Sequence, residues 1–118
     1  VTAFVPKRMS ISFGDMGVIY GNLIDNAIEA SMKMQREKRF VDVETKYQDG
    51  KLLIVVSNSK NMESNPAFAT TKENKRKHGR GIRSVRRVAE QYGGNLLLED
   101  EGGTFKASLL LTNVERLE

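Results

Sequence analysis

A chain of 118 residues, 39 % hydrophobic and 29 % charged, can bury one core and is too short for two. No apolar stretch approaches the roughly 20 residues of a membrane span, and no secretory pattern of charge, apolar run and small-residue cleavage site is present. With no cysteine and one histidine, disulfides and thiolate chemistry are excluded and a structural zinc site has almost nothing to draw on. The cysteine count fits a reducing compartment. The chain starts at Val1 rather than at a methionine, which leads to the expectation of a piece of a longer protein.

The formal net charge of +4 is unevenly distributed. Between Lys72 and Arg87 there are eight basic residues (Lys72, Lys75, Arg76, Lys77, Arg80, Arg83, Arg86, Arg87) and one acid, Glu73, which leaves 11 basic and 14 acidic residues elsewhere. Such a segment is either a solvated face or an attractor of polyanions: nucleotide phosphates, a nucleic-acid backbone or an acidic partner. It contains no Phe, Tyr or Trp on which bases could stack, so no direct nucleic-acid partner is expected.

Residues 1–13 read as extended. A long helix is expected from about Asp15, as its N-cap, to the region of Lys38. Met16, Ile19, Tyr20, Leu23, Ile24, Ala27 and Ile28 recur at three- and four-residue spacing as its buried stripe, with Asn22, Asn26, Glu29 and Lys33 on a polar stripe beside it. Phe40–Tyr47 alternates like a strand, Asp49-Gly50 is a hairpin signal, and Leu52–Ser57 reads as a buried strand. From Asn58 to Arg80 there is no clear period, and a long irregular segment inside a compact domain is usually functional or disordered. A second helix with Ile82, Val85, Val88, Ala89 and Tyr92 on one face stops at Gly93-Gly94. Strands Asn95–Glu99 and Thr104–Thr112 follow, separated by Gly102-Gly103, with Phe105, Ala107, Leu109 and Leu111 on one face. The sum is an α+β fold, a two-layer sandwich with helices on one face of a mainly antiparallel sheet.

Two stretches carry chemistry. Asn22 and Asn26 place carboxamides one turn apart, although asparagine is a poor residue for a helix interior. Either this is a polar face, or Asn26 holds Mg²⁺ through its side-chain oxygen with Asn22 or Glu29 supporting the ion or its waters. His78-Gly79-Arg80-Gly81 is a glycine pair read as opening the second helix, where N–H groups favour anions. Lys72 and Arg80 could add positive charge there; the single His78 cannot belong to a multi-histidine metal site and is better suited to hydrogen bonding or packing in the lid than to accepting a phosphoryl group. Asn58 ends a strand and is either a turn residue or a partner for an adenine ring. Gly102-Gly103-Thr104 is either a plain hairpin or the far wall of such a pocket.

In order and spacing these motifs resemble those of the GHKL superfamily of nucleotide-binding domains, from about Ile11 to Thr112. That group includes sensor histidine kinases, heat-shock chaperone ATPases, mismatch-repair ATPases and type II topoisomerases. Asn22-Leu23-Ile24-Asp25-Asn26-Ala27 is similar to the N box, Asn58 stands where the first glycine box begins, His78-Gly79-Arg80-Gly81-Ile82 resembles the second, and Gly103-Thr104 the last. The wording is closest to histidine kinases of the Agr and Com peptide-pheromone quorum-sensing type. The resemblance implies a Bergerat-type fold with a mobile lid and an ATP–Mg²⁺ site, Asn26 being the metal ligand and Asn22 its neighbour. It further implies Gly79 and Gly81 along the phosphates, Lys72 at the terminal phosphate and Thr104 near adenine.

By the same resemblance, residues 1–118 would be the catalytic and ATP-binding domain of a bacterial membrane sensor kinase, lying in the cytoplasm. It would pass the γ-phosphoryl group to a histidine on a separate dimerisation domain, with a response regulator downstream and a homodimer formed through other regions. Glu29 is the candidate base that polarises the incoming imidazole. Two departures stand out. Asn58-Ser59-Lys60 has no aspartate and no glycine where most of the superfamily has both, and a neutral amide forgoes a charge-assisted bond of roughly 1.5–3 kcal/mol for one of about 1. Weak ATP binding is therefore expected. No phosphoacceptor histidine or dimerisation hairpin is present, so this stretch alone should not autophosphorylate. The alternative is a degenerate domain that serves as a docking or scaffold module.

Overall fold

In a computed structural model, the backbone is described for residues 2–4, 10–62 and 72–114, and side chains for 10–62 and 81–114. The elements are β1 (Thr2–Phe4), α1 (Phe13–Met32), a 3₁₀ turn (Arg36–Lys38), β2 (Val41–Gln48), β3 (Lys51–Ser59), α2 (Lys72–Gln91), β4 (Asn95–Asp100) and β5 (Thr104–Leu111). The sheet order is β1-β2-β3-β5-β4; β1 runs parallel to β2 and every other pairing is antiparallel. Both helices pack on one face, α1 over β3 and β2, α2 over β4 and β5, and the two helices pack on each other. This is the α+β sandwich expected.

The core is the inward face of that sheet closed by the two helical stripes. Leu52, Ile54 and Val56 of β3, Leu109 and Leu111 of β5, Ile19, Leu23 and Ala27 of α1, and Val85, Val88 and Ala89 of α2 are all buried. Burying one Leu, Ile or Val side chain contributes about 1.5–3 kcal/mol, so these alternating and helical patterns outweigh any local preference. Ile28 departs from the expected stripe: it is 48 % exposed, because it lies one residue, about 100°, round the helix from the buried Ala27.

Helix boundaries differ from expectation at three ends. The N-cap of α1 is Ser12, whose hydroxyl accepts from the Asp15 amide at 3.1 Å, so Asp15 sits in the first turn, where its charge suits the helix dipole. The helix stops at Met32 rather than near Lys38. There Arg39 folds back to donate to the carbonyls of Met32 (3.1 Å) and Met34 (2.9 Å), satisfying groups that a longer helix would have used. Helix α2 starts at Lys72, ten residues before the first apolar position of its stripe. Lys, Arg and Glu are good helix formers but show no apolar period, which is why the extension was invisible. Of the lid expected over residues 60–80, residues 63–71 lie outside the described residues and 72–80 are helical as the first turns of α2.

The turns follow their sequences. Asp49 and Gly50 both have positive φ (52° and 79°), the two-residue hairpin geometry that Asp-Gly favours. At the end of α2 the amide of Gly94 donates to Ala89 and that of Gly93 to Glu90, a Schellman closure with Gly93 at φ 64°. A methyl group on Gly94 would stand 2.0 Å from the Leu110 carbonyl oxygen, so only glycine lets α2 turn into β4 here.

Tyr92, just past α2, ties the two helices together. Its hydroxyl donates to Asp15 at 2.6 Å, and its carbonyl accepts from Thr112 and Asn113 at the end of β5. The Asp15 carboxylate, with burial adding to it, raises the phenol above its ordinary value near 10.0. The folded protein thus favours the neutral phenol. That contribution is complete below the unfolded-state value and is lost as pH rises through the higher folded one. Tyr92→Phe should lower stability at pH 7 by about 1.5 kcal/mol and flatten the loss of stability above pH 10, read from denaturant midpoints measured across alkaline pH.

Candidate functional site

The polar stripe of α1 faces α2. Asn22 is half-buried, and its amide nitrogen donates to the Val18 carbonyl one turn back at 2.7 Å. Its oxygen points at α2, for a methyl group on Gly81 would stand 2.8 Å from Asn22 Oδ1. Gly81 is therefore the residue that lets α2 approach the first asparagine of the stripe. Asn26 and Glu29, four and seven residues on, share this side by helical spacing, and both are half-buried with interactions of their own.

A second group forms where strands end. Asn58 is 2 % exposed and donates through its side-chain amide to the Ser59 carbonyl at 3.0 Å, leaving the carboxamide oxygen as its acceptor. It pairs with Phe105, and Ser59 with Thr104, so the Gly103-Thr104 turn lies directly across from Asn58-Ser59. Gly102-Gly103 does make a plain hairpin, and Gly103 also lines a cavity of about 580 Å³ with Lys33, Lys38, Ser59, Lys60 and Met62. The link between the two groups is a buried hydroxyl pair: Ser31, on the last turn of α1, meets Ser59 at 2.9 Å. Ser31 lies five residues beyond Asn26, roughly 7.5 Å along the axis.

Three features were not legible beforehand. Ser31 and Ser59 are unremarkable in sequence. Lys60 is 2 % exposed, and its ammonium reaches Asp100 at 3.2 Å and the Asn61 carbonyl at 3.1 Å; nothing local announces a lysine buried beside a residue forty positions away. The helical backbone from Lys72 also places Gly79 and Gly81 inside α2 rather than at its start, where N–H groups belong to the intrahelical ladder. The side chains of Lys72, His78 and Arg80 lie outside the described residues. Among the described residues, no cluster of three His, Cys, Asp or Glu could hold a metal. The oxygen-bearing side chains on this side are the carboxamides of Asn22 and Asn26 and the carboxylate of Glu29, whose oxygens are of the hard type suited to a hard cation that keeps several waters or phosphate oxygens.

A two-layer sandwich with two asparagines one turn apart on the first helix, the first of them set against a glycine of the second, defines the class. Residues 11–112 match the sequence model of the GHKL domain, and the chain belongs to that family. Among solved structures it is similar to the nucleotide-free catalytic domain of histidine kinase ThkA (20 % identity, TM-score 0.62, 85 % of this chain and 67 % of that one). It is similar also to the blue-light activated histidine kinase of Erythrobacter litoralis (15 %, 0.67, 94 % and 33 %). Full-length ShkA, solved in complex with AMPPNP, matches at 18 % identity and TM-score 0.63 over 88 % of this chain and 23 % of that one. At these identities the likeness is one of fold, and the chain spans two thirds of the first protein's length and a third or less of the other two. No curated protein matches the sequence.

Gly81→Ala should separate site from stability. A helix-interior alanine gains up to about 1 kcal/mol over glycine, while displacing the Asn22 carboxamide forfeits its bond to the Val18 carbonyl, of similar size. The unfolding midpoint should stay nearly unchanged, and the Asn22 side-chain amide resonances should shift.

Proposed function

We propose that this chain is the ATP–Mg²⁺-binding catalytic domain of a two-component sensor histidine kinase, of the Agr/Com peptide-pheromone type. It transfers the γ-phosphoryl group of ATP to a histidine on a separate dimerisation domain. The observation that carries this reading is the Asn22–Gly81 contact within a GHKL domain: a carboxamide of α1 lying against a glycine of α2 whose replacement would displace the Asn22 oxygen.

In this reading Asn26, with Asn22 beside it, holds the metal, which when bound neutralises charge on the phosphates. Lys72, His78, Arg80 and the amides of Gly79 and Gly81 serve the phosphates. For those two glycines to donate, α2 must release its intrahelical bonds ahead of Gly81. Asn58 and Thr104 face the adenine, and Glu29 orients the proton of the incoming imidazole. Catalysis is then mainly positioning and charge stabilisation. The full protein is a homodimer anchored in the plasma membrane with this domain in the cytoplasm, and a response regulator takes the phosphoryl group. A second reading, a degenerate docking module, draws support from Lys60, a buried cation in the box where the superfamily carries glycines.

Calorimetric titration with a non-hydrolysable ATP analogue decides between them. The catalytic reading expects binding in the high-micromolar range or weaker, strengthened by Mg²⁺ and abolished by Asn26→Ala. No binding at millimolar ligand would leave the docking module. For Glu29, the expected outcome of Glu29→Gln is phosphoryl transfer to a supplied histidine domain slowed at least about 100-fold, with nucleotide affinity retained; undiminished transfer would remove Glu29 from the mechanism.

A further inference from the structure

Resting on the nucleotide reading, we infer that Lys60 is a positioning residue that sets the base end of the site. Its side chain is 3 % exposed while that of Asp100 is 41 % exposed, so the ammonium is buried and the carboxylate lies at the surface. The same Asp100 oxygen accepts from Lys60 Nζ at 3.2 Å and from the Gly102 amide at 3.1 Å. The ammonium also donates to the Asn61 carbonyl at 3.1 Å, and the Lys60 amide donates to the Gly103 carbonyl at 2.9 Å. Two of these contacts, Lys60 Nζ to Asp100 and the Lys60 amide to Gly103, join the end of β3 to the β4–β5 turn, and the other two brace each side of that junction, beside the register that sets Ser59 opposite Thr104.

The consequence follows from what flanks the clamp. Asn58 and Thr104 lie on either side of this junction, and Gly102 has φ 83°, a turn that glycine leaves loose. A neutral Asn58 has only modest hydrogen bonds to offer a base, so those bonds count only if donor and acceptor are held in place. Asn58 donates one amide hydrogen to the Ser59 carbonyl, which fixes the orientation of its carboxamide, and its oxygen is then an acceptor suited to the exocyclic amine of adenine. Lys60 keeps that acceptor and Thr104 in fixed register. In this chain a buried cation does by ion pairing what a neutral Asn58 lacks in charge.

The experiment compares wild type, Lys60→Met, Lys60→Arg and Asp100→Asn. The non-hydrolysable ATP and GTP analogues are titrated with Mg²⁺, and hydrogen exchange of the Lys60 amide is followed without nucleotide. Methionine keeps the length of the stem and removes the charge, and the half-exposed Asp100 can be solvated, so the fold should survive. Expected are an affinity for the ATP analogue about tenfold weaker, roughly one hydrogen bond's worth, and a narrowed ATP-to-GTP preference. Faster exchange at Lys60, recovery with arginine, and an intermediate effect of Asp100→Asn complete the expected pattern. If Lys60→Met does not fold, Asp100→Asn alone must show the narrowed preference. Unchanged affinity and preference in the variants, with wild type binding, overturns the positioning role alone; no nucleotide binding by wild type overturns the nucleotide reading and this inference with it.

Discussion

Strand β3 is paired along both edges from Leu52 to Asn58, with β2 on one side and β5 on the other. Its inward residues Leu52, Ile54 and Val56 are at most 1 % exposed, so it cannot shift by one residue without turning its core face to solvent. Helix α1 rests on this strand, and through Ser31 and Ser59 its last turn is pegged to the strand's end. The same strand delivers Asn58 and Lys60 to the rim where the β4–β5 turn arrives. The register of one central strand therefore fixes both ends of the candidate site.

The helices add the second constraint. Their stripes are apolar enough to bury, but their separation is decided by small groups: Gly81 against Asn22, and the Tyr92–Asp15 hydrogen bond at the other end. Contact at one end is steric and at the other polar. Between them lie Val85, Val88 and Ile19, whose close packing resists adjustment. The Asn22 oxygen stands at the steric end of this contact.

Among the described residues, most buried polar side chains sit in joints between elements distant in sequence. Tyr20 and Thr45 share a hydrogen bond of 2.6 Å between α1 and β2; Ser31, Ser59 and the Phe40 amide join α1, β3 and the segment before β2; Lys60 and Asp100 join β3 to β4. Among the described residues no buried side-chain polar atom lacks a partner. Such joints are worth little each as net stability but are costly to leave half-made, and so they specify one arrangement of elements over its near neighbours.

By itself the sequence determined which segments bury a face, because periods of two and of 3.6 are local properties of the chain: β2 to β5 and the apolar faces of α1 and α2 were legible, as were the Asp49-Gly50 and Gly93-Gly94 turns. Its order of motifs also pointed to the GHKL family, since Asn22, Asn26 and the glycines near 80 stand at set distances along the chain. The ends of the helices were less legible. Ser12 outcompetes Asp15 as cap, Arg39 ends α1 from beyond it, and a charged stretch extends α2 without any apolar signal. Only the tertiary structure decided that Gly81 lies against Asn22, that Ser31 meets Ser59, and that Lys60 is buried on Asp100. These are contacts between residues 28 to 59 positions apart, made by register and helix packing, and no local pattern encodes a partner that only the folded sheet brings near.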